Sequence, residues 1–147
     1  MIKIQDGISL HGNLIMRIFK KGRLVEEHAD HNMIVDMARY QMVRLVAGDV
    51  SGRHITKIAF GTNGNLPKLT DKAITNSFTK AITRFKFPSN NKVQFDWDLS
   101  VSENNGMAIS ELGLLTDDGT LFARIIREKP FYKESDISIE GQWTLIL

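Results

Sequence analysis

Apolar and polar residues alternate along most of this chain, as they do in β-strands that bury one face. The alternation is clearest in four stretches, at 55–60, 79–87, 93–101 and 137–147. Residues 33–47 differ, because their apolar side chains recur at helical spacing between a suitable N-cap, Asn32, and a helix-ending glycine, Gly48. The pattern predicts an α+β, mainly β protein: an antiparallel β-sandwich with one principal helix at 33–47.

The N-terminal part of the chain predicts a β-hairpin that follows a short arm. Residues 13–28 form the hairpin, with its turn at residues 20–22. Residues 1–12 are mostly polar and contain two glycines, so we interpret them as an arm that orders against a partner. No internal repeat or linker divides the sequence, and we expect 1–147 to form a single domain with the β-sandwich over 54–147.

A second hairpin is predicted around Asp118-Gly119, because this dipeptide between two apolar runs favours a two-residue turn with positive φ. The resulting register pairs Leu112 with Ile125, Gly113 with Arg124, Leu114 with Ala123 and Leu115 with Phe122. Both faces of the first strand are apolar, so we expect this hairpin to be central and covered on both sides.

One acidic residue, Glu111, interrupts that apolar strand. The register places it diagonal to Arg124, and Gly113 between them leaves room for the guanidinium. We therefore predict a buried or half-buried structural ion pair between Glu111 and Arg124.

The composition narrows the possible classes of function. The formal net charge is +2 and basic residues form no run, which argues against nucleic-acid binding. No apolar segment approaches membrane-spanning length, and the N-terminus lacks the apolar core of a signal peptide. With no cysteine, disulfides and thiol chemistry are excluded, which is typical of a protein that folds in a cytoplasm.

Two histidines offer the best candidate metal ligands. His28 and His31 are three residues apart on an irregular segment, and Asp30 or Asp36 could complete a site. Tight sites need several converging ligands, and no third histidine follows nearby. We therefore favour surface histidines and expect no bound metal and no cofactor.

Two further motifs suggest catalysis only weakly. Asp96 and Asp98 share one strand face and resemble a carboxylate pair for glycoside hydrolysis, but alternating aspartates more simply form the solvated face of that strand. The glycine-rich loop at 61–67 lacks the Gly-Lys-Ser/Thr of a phosphate-binding loop. We expect no catalytic residues.

Three stretches together resemble the N-terminal, virion-attaching domain of bacteriophage tail-fibre and tail-collar proteins. The first is Ile-Thr-Lys-Ile-Ala-Phe-Gly-Thr-Asn-Gly at 55–64, followed by Pro67 and Thr70. The second is Gly-Met-Ala-Ile-Ser-Glu-Leu-Gly-Leu-Leu at 106–115, which leads into Asp-Gly-Thr-Leu-Phe-Ala at 118–123. The third is Lys-Pro-Phe-Tyr-Lys at 129–133.

This resemblance implies a structural protein of a phage or prophage tail, made in the bacterial cytoplasm and carried in the virion. It further implies other tail or baseplate proteins as partners and a homo-oligomer, with a trimer favoured. Two alternatives stay open. One is a carbohydrate- or protein-binding β-sandwich, for which Phe131 and Tyr132 are the loop aromatics. The other is a hydrolase that uses Asp96, Asp98 or Glu111.

The chain itself also favours an oligomer. Its first residues alternate as a strand that could pair with a neighbour, and a two-stranded ribbon with apolar residues on both faces rarely stands alone in water. The expected contacts with another chain are Ile2, Ile4, Leu14, Met16, Ile18 and Phe19.

Overall fold

The computed structural model describes residues 10–147, which form a sandwich of two five-stranded antiparallel sheets. The first sheet has the order β2 (Arg23–His31), β1 (His11–Lys20), β10 (Ile137–Ile146), β7 (Lys92–Leu99) and β6 (Arg84–Ser89). The second has the order β3 (Met33–Ile34), β9 (Leu121–Tyr132), β8 (Ala108–Thr116), β4 (Ile55–Gly61) and β5 (Phe78–Ala81). The predicted fold class is confirmed.

The main core lies between the two sheets and is built from the alternating apolar residues of both. Trp97 and Trp143 enter it from the first sheet, and Phe60 and Leu112 enter it from the second. The Phe60 and Trp97 rings meet edge to face with centroids 5.3 Å apart, an arrangement that aromatic pairs favour. Gly141 lies against Trp97, since a Cβ there would fall 2.0 Å from the indole ring.

The second sheet is also covered on its outer face, as the apolar character of both faces of β8 predicts. The segment after β4 lies over this face through Ile74, and helix α1 (Asp36–Val46) borders it through its N-cap Val35 and through Met37, while Ala38 of the helix joins the main core. A smaller apolar cluster fills the space between them and the sheet; its buried members are Val35, Ala59, Ile74 and Leu121.

The helix begins later than the sequence pattern predicts. It covers Asp36–Val46, and its N-cap is Val35, so the prediction of Asn32 as the cap is wrong. The cause is tertiary pairing, because Met33 and Ile34 form β3 against β9 before the helix begins. The C-terminal prediction is confirmed, since Gly48 follows the helix with a φ of 86°.

The N-terminal hairpin is present but is part of the sandwich. Its turn is at Lys21 and Gly22, both with positive φ, and β1 lies between β2 and β10. This position corrects the predicted partner contacts, because the core of the same chain buries Leu14, Met16 and Ile18. Phe19 is half-buried on the outer face, while Ile2 and Ile4 lie outside the described residues.

Two other strand assignments need correction. The stretch 79–87 is not one strand, because the chain leaves β5 in the second sheet and enters β6 in the first. The expected loop position of Phe131 and Tyr132 is also wrong, since β9 continues through Pro130 and pairs Tyr132 with Ala108. Alternation persists across both places, so the pattern alone does not show where a strand changes sheet or ends.

Candidate functional site

The predicted ion pair between Glu111 and Arg124 is present. Arg124 Nη2 lies 2.9 Å from Glu111 Oε2, and the side chains of Arg124 and Glu111 are 2% and 0% exposed. The β8–β9 register pairs Gly113 with Arg124, as predicted, but a bulge then pairs Leu115 with Leu121. Gly119 alone supplies the positive φ at the turn, so the hairpin ends in a type I turn with a bulge.

Arg124 also holds the glycine-rich loop after β4. Its guanidinium donates to the Asn63 carbonyl at 2.8 Å, the Asn65 carbonyl at 3.0 Å and Asp71 Oδ2 at 3.1 Å. Glu111 Oε1 accepts the Thr75 N–H at 2.7 Å. We call Asn63, Asn65, Asp71, Glu111 and Arg124 the Arg124 cluster. Its geometry fixes both ends of the loop on the second sheet.

The space beside the ion pair is filled differently from the prediction. A Cβ at Gly113 would lie 2.7 Å from Ile74 and 2.9 Å from Leu121, so the glycine accommodates apolar packing and not the guanidinium. Gly61 is equally constrained, because its Cβ would lie 2.4 Å from Ile74 and 2.8 Å from Glu111 Oε1. Because Glu111 is fully buried and paired, its carboxylate cannot reach a substrate in this conformation.

A second polar cluster joins the helix to the β8–β9 turn. The buried Gln41 amide donates to both carboxylate oxygens of Asp118, at 3.0 and 2.9 Å, and Arg53 donates to Gln41 Oε1 at 2.8 Å. Hydrogen bonds from Thr116 and Gln41 hold the pKa of Asp118 far below its usual range. Sequence reasoning missed Gln41, although a polar residue on the apolar side of a helix is a usable signal.

The third cluster contains a buried lysine. Lys133 is 1% exposed, and its ammonium donates to Asn105 Oδ1 at 2.8 Å and to the Glu134 carbonyl at 3.1 Å. Burial lowers the pKa of Lys133, because desolvation disfavours the charged amine. Nearby, Lys80 donates to Glu103 at 2.7 Å and lowers the pKa of Glu103 to about 2. These contacts fix the 100–106 turn on the sandwich.

The histidines proposed as metal ligands lie on β2 with separate partners. His28 Nε2 is 2.7 Å from Glu26, while His31 Nδ1 is 2.7 Å from Asn13. Asp36 belongs to the first turn of the helix. Over residues 10–147, no three histidine, aspartate or glutamate side chains converge in a way that could hold a metal ion.

The two strand aspartates are each engaged by a cation. Burial alone would raise the pKa of Asp96, but hydrogen bonds from Arg84 and Gln94 lower it. Asp98 forms an ion pair with Lys80. Both carboxylates therefore lie on the outer face of β7 in contact with a cation, an arrangement that differs from the acid and nucleophile pair of a glycosidase.

Apolar side chains are exposed at one edge of the sandwich. Register pairs Phe85 with the buried Phe95, so Phe85 and Phe87 point to the inner face of the first sheet, yet they are 63% and 72% exposed. A cavity of about 280 Å³ lies beside Phe87, with Leu147 59% exposed at its margin. We call this surface the β6 patch; it comprises the exposed Phe85, Phe87 and Leu147 together with the half-buried Val93 and the buried Leu145, which line the cavity.

A second exposed apolar surface follows the end of the helix. Val43, Val46 and Val50 are 66%, 90% and 58% exposed, at spacings of three and four residues. Residues three apart lie on one side of a helix, so Val43 and Val46 share a face that points away from the core, while Val50 follows after the helix has ended at Val46.

Comparison of this chain with models of protein families, with curated proteins and with solved structures finds no match. Within residues 10–147, no helix is long and apolar enough to cross a lipid bilayer. A function is therefore inferred from the three sequence stretches, at 55–64, 106–123 and 129–133, and from the buried polar clusters and exposed apolar surfaces.

Proposed function

We propose that this chain is a structural component of a bacteriophage or prophage tail, at the fibre, collar or baseplate, and that it acts by assembly and not by catalysis. In this proposal it works in the virion as a symmetric homo-oligomer, with three copies favoured, and contacts other tail proteins. The starting point is the resemblance carried by residues 55–64, 106–123 and 129–133.

The observation that supports this proposal most is the meeting of those stretches in space. Gly61 at the end of β4 pairs with Glu111 of β8, and the Arg124 cluster ties the loop after β4 to the β8–β9 hairpin. The third stretch is joined to the second, since Lys133 N–H donates to the Met107 carbonyl at 3.0 Å. The resemblance is thus carried by residues that build one structural unit.

The exposed apolar surfaces support assembly with other chains. Soluble monomers rarely expose large contiguous apolar patches, and such patches often mark contacts with other proteins. The β6 patch and the exposed side chains of Val43, Val46 and Val50 are the apolar surfaces that support such contacts here. Both would be covered in an assembly of several chains.

Quantitative mass spectrometry of purified tail particles tests the proposal. Particles from cells that encode the chain should contain it. Its copy number per particle, with the tail tube protein as the internal standard, should be a multiple of three. Particles from a deletion strain should lack it and lose the attached component in electron micrographs. Intact particles without the chain would contradict the proposal, and saturable glycan binding by the purified protein would then favour a carbohydrate-binding module.

A further inference from the structure

The β6 patch combines two features that suit the addition of a strand. β6 is the edge of the first sheet, so one side of its backbone presents hydrogen-bonding groups that no strand of the described chain pairs. Phe85 and Phe87 lie two residues apart on its inner face, where the second sheet does not cover them. An added strand with alternating apolar residues would pair with the backbone and cover both rings.

We propose that the occupant of the β6 patch is the N-terminal segment, residues 1–9, of a second copy of this chain. The inference deepens the proposed assembly and rests on it: each copy donates its N-terminal segment to the edge of a neighbour. Ile2, Ile4 and Ile8 have the two-residue period that matches the spacing of Phe85 and Phe87.

The place where the described chain begins supports this occupant. Leu10 packs against the main core, and extending the β1–β10 register by one residue places it opposite Leu147 of the β6 patch. Leu10 therefore lies at the end of the sandwich where the patch opens.

The length of residues 1–9 favours binding to β6 of a second copy over binding to β6 of the same chain. The position beside the free edge of β6 lies four strand spacings from β1, so reaching it in the same chain takes a segment about 19 Å, or about five to six residues. Of residues 1–9, only about three or four would then remain for pairing. A segment that enters a neighbour can place all nine, roughly 30 Å when extended, along the roughly 20 Å of six-residue β6.

Charge argues against pairing of two β6 strands with each other. β6 carries Arg84 and Lys86 and no acidic residue, so two copies side by side would bring like charges together. Residues 1–9 contain one basic and one acidic side chain, Lys3 and Asp6, and add no net side-chain charge. The N-terminal segment is therefore the better occupant.

The absence of cysteine from the chain makes cross-linking a direct test. One tagged full-length variant carries Lys3→Cys as donor, and a second with a different tag carries Lys86→Cys as acceptor. The two are co-expressed, purified through both tags and treated with a short bis-maleimide, which does not require disulfide geometry. A matched control replaces the acceptor with Arg23→Cys, an exposed position on β2 at the opposite edge of the same sheet.

The proposal expects covalent heterodimers with the Lys86→Cys acceptor and few with the Arg23→Cys control. Adding Phe87→Ser to the acceptor should reduce the yield about tenfold, as expected for the loss of one apolar contact surface. Phe87 is 72% exposed, so this change leaves the core intact.

Three results would overturn the proposal. One is equal yield at Lys86 and Arg23. Another comes from a chain that carries both Lys3→Cys and Lys86→Cys. If its two cysteines are linked within one chain and no heterodimers form, the segment lies on its own β6. The third is predominant linkage of two Lys86→Cys chains, which would show paired β6 edges. The readout uses purified protein, so its failure is distinct from absence of the chain from tail particles.

Discussion

Removing either member of the buried Glu111–Arg124 pair should destabilise the fold strongly, and the two effects should not add. The variants are Glu111→Gln, which keeps the shape and one acceptor oxygen, Arg124→Met, which keeps an unbranched apolar stem without the guanidinium, and the double variant. Arg124 Nη2 and Glu111 Oε2 are 2.9 Å apart with both side chains buried, so each charge depends on the other for compensation.

The size of each effect follows from the remaining partners. Arg124→Met leaves the Glu111 carboxylate buried with the Thr75 N–H as its other donor, and it also removes the donor for two backbone carbonyls. Loss of one member of a buried pair costs about 3–5 kcal/mol. Glu111→Gln should cost less, about 1–3 kcal/mol, because Asp71 still lies 3.1 Å from Arg124.

The double variant should cost about 2 kcal/mol less than the sum, since the neutral amide at position 111 needs no cation. Urea unfolding at one fixed protein concentration measures these values, because Trp97 and Trp143 are 2% and 0% exposed and report loss of the core. A coupling below about 0.5 kcal/mol would refute the argument, because independent sites add within that margin.

Two further predictions concern acid stability and packing. Glu103, held by Lys80 with a folded pKa of about 2 against an ordinary 4.5, should stabilise the fold above pH 4.5 and lose that contribution as the pH falls towards 2. Glu103→Gln should therefore flatten the fall in unfolding free energy over that window, measured by urea titrations; an unchanged slope would contradict this. Gly141→Ala should lower the free energy of unfolding by about 1–3 kcal/mol, measured by thermal melts, because its Cβ would meet Trp97 at 2.0 Å. Gly64→Ala should change little, because the nearest atom to its Cβ would be 3.7 Å away. Equal effects at the two glycines would contradict the packing account.

The sequence was most informative where local chemistry determines long-range pairing. Asp118-Gly119 fixes the β8–β9 hairpin, and from that register the pairing of Gly113 with Arg124 and the ion pair with Glu111 follow. The turn type was less accessible, because Asp118 is held by side-chain hydrogen bonds from the helix instead of adopting positive φ.

Features that depend on distant segments were not accessible from the pattern. Asp71 joins the Arg124 cluster from a loop with no periodicity, and Ile74 fills the space above Gly113 that the sequence pattern assigned to a guanidinium. The change of sheet between β5 and β6 leaves alternation intact, so the exposed position of Phe85 and Phe87 could not be predicted. The β6 patch therefore emerged only from the packing of the two sheets.

The mass of purified residues 1–147 in solution shows whether the chain assembles through its exposed apolar surfaces. Light scattering over a dilution series should give about 50 kDa, three times the 16.6 kDa of one chain. Removal of residues 1–9, or Phe87→Ser in the full chain, should weaken the assembly. The mass of either variant should then fall towards that of one chain at protein concentrations at which the wild type is still a trimer. A wild-type mass of 16.6 kDa at high concentration, unchanged by either variant, would contradict the account.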